Sequence, residues 1–323
     1  MGRMNSAPSS FAKSAEILDF ALVTERRYAA ATAESADWYL GNILSDDGYL
    51  AAALSARGYS SRRVDWADPA IDWSKFRCAV FRTTWDYFHR FDEFSRWLEQ
   101  VARLTSLINN LTIVRWNMDK HYLGDLERRG VPIVPTLFLE RGQIQSFRDL
   151  LDRLKIDEAV VKPCVSGAAR HTYRVRRENA AEIDRVMRPV WEVESLLIQP
   201  FQTSVIERGE ASLMMFEGRC SHAVLKRAKP GDFRVQDDHG GTVVDYEPSS
   251  AEIAAAEQAI AACQEGPVYG RVDLVRENSG HFAVSELELI EPELWIRRSP
   301  SSADRFATAL INKLSLLAKD LGQ

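Results

Sequence analysis

Arg271-Val272-Asp273-Leu274, followed after one hairpin-like break by Ser285-Glu286-Leu287-Glu288-Leu289-Ile290-Glu291-Pro292, is the stretch on which the fold turns. Period-2 alternation places Asp273 on a strand between apolar neighbours. It turns Glu286 and Glu288 to one face of the next strand and Leu287 and Leu289 to the other. Two adjacent antiparallel strands thus aim three carboxylates at one spot. Clustered carboxylates repel, so a cation belongs among them, and a hard, oxygen-preferring ion such as Mg²⁺ carrying nucleotide phosphates is the economical choice. Strand alternation alone also accounts for Glu286 and Glu288 as the wet face of a strand, so the rest of the chain must decide.

At 323 residues the chain has room for two or three domains with sizeable apolar interiors. Its 46% hydrophobic and 27% charged content is ordinary for a globular protein. A net charge of -5 without long basic blocks argues against a nucleic-acid binder. Cys78, Cys164, Cys220 and Cys263 are far apart, without metal-knuckle spacing, and read as fillers of small apolar gaps in a reducing compartment. No apolar run is long enough to span a membrane, and the first sixteen residues lack a signal-peptide core. The expectation is a cytoplasmic protein with no membrane or nucleic-acid partner.

Strand candidates at 17–23, 61–65 and 78–81 alternate with helical stretches at 46–56 and 91–104, which predicts an α/β domain ending near residue 115. Arg82-Thr83-Thr84-Trp85-Asp86-Tyr87 follows the third strand, at the carboxyl end where open α/β sheets place ligands. A substrate role for Arg82, Trp85 or Tyr87 is open there, and so is a plain surface turn. Asn117 is a candidate cap for a helix over 118–129, and 147–154 reads as a second short helix. Val160-Val161-Lys162-Pro163 ends a strand ahead of Ser166-Gly167-Ala168-Ala169, and 171–175 resumes strand alternation. An alanine-rich helix over 250–263, capped by Ser249 or Ser250, and a terminal helix over 302–321 complete the reading.

Phosphates opposite the carboxylates need cations and donors. Lys162 ends an apolar strand just before a Ser-Gly turn whose backbone N–H groups can approach phosphate oxygens, and Lys120 can reach the same ligand from another element. Lys226, Arg234 and Gln236 flank the turn Lys229-Pro230-Gly231-Asp232. A solvated lysine and a simple hairpin turn explain these features equally well when each is taken alone. His222, on a strand, reads better as a hydrogen-bonded structural histidine than as a base. No P-loop, dinucleotide fingerprint, nucleophile elbow or zinc-helix pattern occurs.

Taken in order, Trp116-Asn117-Met118-Asp119-Lys120, Val160-Val161-Lys162-Pro163, Ile198-Gln199-Pro200-Phe201, Phe233-Arg234-Val235-Gln236, Arg271-Val272-Asp273 and Ser285-Glu286-Leu287-Glu288 resemble the ATP-grasp superfamily, in its glutathione synthetase and D-alanine ligase branch. The resemblance covers roughly residues 116–293. It implies an α/β (α+β ATP-grasp) fold of three domains: 1–115 on the substrate side, 116–197 as the middle lid, and 198–323 as the catalytic domain. The ATP cleft would lie between the last two. It further implies Lys120 and Lys162 on the ATP phosphates, Ser166 and Gly167 in the covering loop, Gln199, Pro200 and Phe201 along adenine, and Lys226 on the nucleotide side. Asp273, Glu286 and Glu288 resemble the Mg²⁺ ligands, with Mn²⁺ as a substitute ion. Arg271 resembles the arginine beside the transferring phosphate, and Arg234 a further substrate-side cation. Two departures stand out. Glu288 occupies a place where these ligases usually carry asparagine, and the covering loop is poor in glycine. The Glu-Leu-Glu-Leu-Ile-Glu-Pro ending and the early Arg-Thr-Thr-Trp-Asp-Tyr segment are similar to the cyclo-ligases of the cycloserine pathway, which close O-ureido-D-serine at the expense of ATP.

The implied reaction is chemically coherent. A carboxylate is a poor acylating agent until phosphoryl transfer makes it an acyl phosphate, which an amine or an internal nucleophile can attack. Catalysis is then mainly placement and electrostatics, so no histidine base is required. The expected partner is a small carboxylate or amino-acid-like molecule. Related ligases often form homodimers, which leaves a homodimer open here. Two other uses of such a cleft stay open: phosphoryl transfer to an oxygen without ligation, and nucleotide binding without catalysis.

Overall fold

The structure, a computed structural model, describes residues 17–235 and 240–320. The leader, Gln236 and Leu321, all part of the readings above, lie outside the described residues. Leu18–Thr24 (β1), Trp38–Ser55 (α1), Ser61–Asp65 (β2), Phe76–Thr83 (β3), Phe91–Val101 (α2) and Ser106–Ile108 (β4) form the first unit. Its four strands are parallel, in the order β2-β1-β3-β4. β1 and β3 are buried along almost their whole length, as strands covered on both faces must be. On α2, Phe94, Leu98 and Val101 recur at helical spacing and face this core. α1 begins eight residues before the expected start at Asp46. The Asp37 carboxylate accepts from Leu40 N and caps the helix there, a signal that the weakly amphipathic sequence concealed.

Leu111–Asn117 (α3) and Tyr122–Arg128 (α4) lead into the second unit. Asn117 does not cap the helix that follows it. It closes α3, and its side chain donates to Leu287 O and accepts from Leu289 N at 2.8 and 2.7 Å, stitching α3 to the carboxylate strand. The second sheet contains Leu137–Leu139 (β5), Glu158–Pro163 (β6), Tyr173–Arg176 (β7) and Leu196–Pro200 (β8). It is antiparallel, in the order β5-β8-β6-β7, and packs on Phe147–Leu154 (α5) and Ala180–Trp191 (α6). β8 belongs wholly to this sheet and runs across residues 197 and 198.

The third sheet follows the short helix Ser204–Glu207 (α7). It comprises Glu210–Phe216 (β9), Arg219–Arg227 (β10), Thr242–Tyr246 (β11), Tyr269–Arg276 (β12) and Phe282–Glu288 (β13), in the antiparallel order β11-β10-β9-β12-β13. Ser250–Ala261 (α8) covers one face. The Ser249 hydroxyl and the Glu252 carboxylate cap its start reciprocally, an arrangement worth about 1 kcal/mol. The terminal helix Ser302–Asp320 (α9) ties the first and third sheets together: Phe306 stacks on Phe216, and Leu310 shares one core with Phe20, Leu50 and Val80. No helix among the described residues is long and apolar enough to cross a membrane.

Candidate active site

The carboxylates meet because of a β-bulge. Asp273 pairs with Glu286 and Arg271 with Glu288, but Leu274 pairs with Val284, so Ser285 is the extra residue on β13. Before the bulge Val284 faces the core. After it the parity switches, so that Leu287 and Leu289 are buried while Glu286 and Glu288 face the opposite side. Unbroken alternation would have sent Val284 to the face of Glu286 and Glu288. Carboxylate oxygens of Asp273, Glu286 and Glu288 lie within 4.8 Å of one another.

Cations surround the cluster. Arg271 donates from Nε and Nη2 to the two Asp273 oxygens at 2.8 and 2.9 Å, and Nη2 also reaches Glu288 Oε1 at 2.5 Å. Lys226 Nζ lies 2.9 Å from Asp273 Oδ2 and 2.5 Å from Glu210 Oε1, and Ser212 Oγ donates to Asp273 Oδ1 at 2.6 Å. Lys120 Nζ bridges Glu286 Oε1 at 3.0 Å and the Ser166 carbonyl at 2.5 Å. The Lys162 ammonium makes no hydrogen bond or ion pair among the described residues; burial pulls its pKa down, against the pull of Glu286. Burial alone would push the Asp273 carboxyl up, but Arg271 and Lys226 hold it well below the usual carboxylate range. Lys120 and Lys162 likewise hold Glu286 down against its burial. Glu288 is pushed up by burial and by Glu286 and Asp273, which outweigh Arg271.

Lys120, Lys162, Glu210, Lys226, Arg271, Glu286 and Glu288 line one cavity of about 740 Å³, which also gathers Ser166, Gly167, Gln199, Pro200, Phe201 and Arg234, while Asp273 is buried behind them. The Gln199 amide donates to Thr136 Oγ1 at 2.9 Å. Arg174 lies over the Phe201 ring at 3.6 Å, and Arg234 pairs with Asp232 at 2.8 Å. Ala168, Ala169 and His171 adopt left-handed backbone, so the glycine-poor loop turns without the residue type that does so most easily. Gly167 faces Phe88: a Cβ there would lie 2.6 Å from the Phe88 ring.

From the first unit, Trp85 and Asp86 reach the cavity, and Trp85 Nε1 donates to the Glu291 carbonyl at 2.8 Å. Arg82 and Tyr87 do not line it. Arg82 is buried against Asp47 at 2.8 Å, and Tyr87 lies in the apolar core, because strand alternation and the turn that follows point both inward. His222 sits away from the cavity with Nε2 2.8 Å from Leu294 O, as a structural histidine does. Glu25, Arg27 and Tyr28 line the cavity and escaped the sequence reading. They follow β1 at its carboxyl end, so the rule that singled out the Trp85 segment applied equally to them. Ser212 escaped because only the β9–β12 pairing places it beside Asp273, and Glu210 because only the β9–β10 pairing brings it to Lys226.

Hard oxygen donors on adjacent strands, with cations ringed around them, fit a divalent ion carrying phosphates. With a small antiparallel sheet facing a larger one across the cavity, this is the architecture of an ATP-grasp ligase. The comparisons make it specific. The family described as D-cycloserine synthetase DcsG, N-terminal domain, matches residues 20–109. The cycloserine biosynthesis protein DcsG of Streptomyces lavendulae is 36% identical over 276 residues, 82% of this chain and 92% of that protein. The crystal structure of D-cycloserine synthetase DcsG is 33% identical with a TM-score of 0.79, covering 91% of this chain and 99% of that one. D-alanine–D-alanine ligase from Bacillus anthracis shares the fold at 17% identity and a TM-score of 0.64, over 94% of this chain and 99% of that one. The chain belongs to the DcsG family of ATP-grasp ligases, enzymes that use ATP and Mg²⁺ to activate a carboxylate.

Proposed function

We propose that the chain is a cyclo-ligase that activates the carboxylate of an amino-acid-like substrate of the O-ureido-D-serine kind and closes the molecule on itself. The observation that carries this reading is the cluster Asp273, Glu286 and Glu288, enclosed by Lys120, Lys226 and Arg271, with all but the buried Asp273 on the wall of one large cavity. The 36% identity to the Streptomyces lavendulae protein supports the choice of substrate class. The substrate carboxylate oxygen attacks the terminal phosphorus of ATP, giving an acyl phosphate and ADP. An internal nitrogen then attacks the acyl carbon and inorganic phosphate leaves.

Asp273, Glu286 and Glu288 would hold Mg²⁺, which when bound neutralises phosphate charge, and Mn²⁺ would replace it at the same oxygen donors. Lys120 and Lys162 bind phosphate oxygens, the unpaired Lys162 being the readier of the two. Ser166 and Gly167 cover the phosphates with backbone donors. Gln199, Pro200 and Phe201 run along the adenine. Lys226 keeps Asp273 ionised on the nucleotide side, Arg271 steadies charge on the transferring group, and Arg234 serves the substrate side. The boundaries 1–115, 116–197 and 198–323 serve as working units, with β8 as the strand at the second junction. Four free cysteines agree with a reducing, cytoplasmic setting. A homodimer, the oligomer common among related ligases, is checked by light scattering.

The test is ADP and phosphate release with mass detection across D- and L-amino acids, dipeptides and O-ureido-D-serine, with Mg²⁺ or Mn²⁺. A cyclised product formed with one ADP from O-ureido-D-serine supports the reading. Turnover only with a separate amine acceptor rules out ring closure, and a stable phosphorylated product rules out ligation.

A further inference from the structure

Beside the backbone of Lys120 lies a second donor cluster of different chemistry. Asp119, His121 and Cys164 each bring a ligand atom to within 4.8 Å of the other two. Asp119 and His121 sit in the turn between α3 and α4, while Cys164 immediately follows β6, so the sequence keeps the donors far apart and only the fold joins them. Asp119 Oδ1 lies 2.6 Å from His121 Nδ1. His121 Nε2 faces outward, 3.3 Å from Glu140 Oε1, and Ser195 Oγ donates to the other Glu140 oxygen at 3.1 Å. The imidazole also stacks on Phe138, with ring centroids 4.4 Å apart.

In the contact with Asp119 the short Nδ1···Oδ1 distance calls for a proton on Nδ1. A metal taking that place would leave the imidazole proton on Nε2, facing the anchored Glu140 carboxylate, as metal-bound histidines are held. None of the three donors has a part in the ligase chemistry above. Mixed sulfur, nitrogen and oxygen ligation suits Zn²⁺ and its congeners Co²⁺ and Cd²⁺, and is unlike the all-oxygen set that Mg²⁺ prefers. We propose that Asp119, His121 Nδ1 and Cys164 Sγ form a transition-metal site, occupied by Zn²⁺ with water as the fourth ligand and Glu140 as the outer carboxylate on His121. Binding replaces the thiol hydrogen with the metal, and the proton passes to solvent.

The site is joined to the ATP side through the backbone. Lys120 lies between two of the ligands, and its N–H donates to the carbonyl of the third, Cys164, at 2.9 Å. Zn²⁺ therefore fastens the base of Lys120 while its Nζ stays on Ser166 and Glu286. This consequence for ATP rests on the phosphate role proposed for Lys120; the metal site itself does not.

Titrating the metal-stripped full chain with Co²⁺ reads the site apart from catalysis, because a thiolate ligand gives a charge-transfer absorption that oxygen ligands do not. We expect one equivalent to produce that band and Zn²⁺ to abolish it. The band should persist in Asp273→Asn and vanish in both Cys164→Ala and His121→Gln. His121 is partly exposed, so its variant tests the site even if removing the buried thiol impairs folding. Zn²⁺ should also raise Tm in the parent and not in His121→Gln. A missing band, or one that survives either ligand substitution, overturns the proposal. If the band behaves as expected but the KM for ATP does not change with Zn²⁺, the metal site stands and the role proposed for Lys120 is what fails.

Discussion

Asp273 accepts from Ser212, Lys226 and Arg271, so each of its oxygens is already committed to two donors. Such a group is fixed in place, and a ligand pre-set in this way loses little freedom when it binds. Asp273→Asn keeps the shape but removes the charge and faces Arg271 and Lys226 with an amide. ADP release should fall by at least about 100-fold, the scale of losing one preorganised electrostatic contact. Tm should fall too, because two buried cations, Arg271 and Lys226, each lose one of their two counter-charges. Full activity in this variant, measured by coupled ADP release, would remove Asp273 from the metal set. At this scale much of the site was legible. Residue type and strand parity made Asp273, Glu286, Glu288, Lys120 and Lys162 candidates and the ordered motifs singled them out; the fold brings all but the buried Asp273 to the wall of one cavity. Glu210 was not legible, since its neighbour Lys226 meets it only through the antiparallel pairing of β9 and β10.

The elements add geometry that the residues alone do not announce. The extra Ser285 in β13 leaves no mark in the hydrophobic pattern, because Val284 and Leu287 can each be read as core without counting the parity between them. The helix boundaries at Asp37 and Asn117 were missed for a related reason, since polar residues of that kind serve either as caps or as tertiary contacts and spacing does not distinguish the two. The covering loop makes a prediction at this scale. Gly167→Ala places a methyl 2.6 Å from the Phe88 ring, so either the ring or the loop must move. We expect a several-fold rise in the KM for ATP with a nearly unchanged Tm, and recovery on adding Phe88→Leu, read by ADP release. A Gly167→Ala enzyme with parental KM would show that the loop does not need that contact. His222 on β10 makes another. Burial holds its pKa below the ordinary 6.5, so the folded state refuses a proton that the unfolded chain accepts. Stability should therefore decline as pH falls below about 6.5 and level off once the folded state also protonates. His222→Gln, which keeps a donor for Leu294 O, should flatten that slope in urea titrations across pH.

Three sheets share one cavity, so its shape depends on how the units are fastened. The alternation of strand and helix made the first unit readable, and the ordered motifs made the other two recognisable. The fastening was not readable, because it uses contacts between residues 200 or more apart in the chain. One fastening point is Asp46 on α1. Its two oxygens accept from the backbone N–H and Nη1 of Arg297 at 2.7 and 2.8 Å, and Arg297 Nη2 reaches Glu293 Oε1 at 2.6 Å. Glu293 lines the cavity together with Glu291 and Trp295, and Trp85 anchors the same segment from the other side through the Glu291 carbonyl. The first unit thus sets the position of a wall that belongs to the third. Asp46→Asn keeps an acceptor for the backbone N–H but removes the charge that orients Arg297. The wall at Glu293 should loosen while the side proposed to hold Mg²⁺ and ATP, fastened by Arg271 and Lys226, stays as it is. The expected result is a KM for the carboxylate substrate raised about tenfold, the equivalent of 1.4 kcal/mol, with the KM for ATP within about twofold of the parent. A fall in kcat with both KM values unchanged would mean that Asp46 does not act through this wall. Equal rises in both KM values would mean that α1 positions the whole cleft.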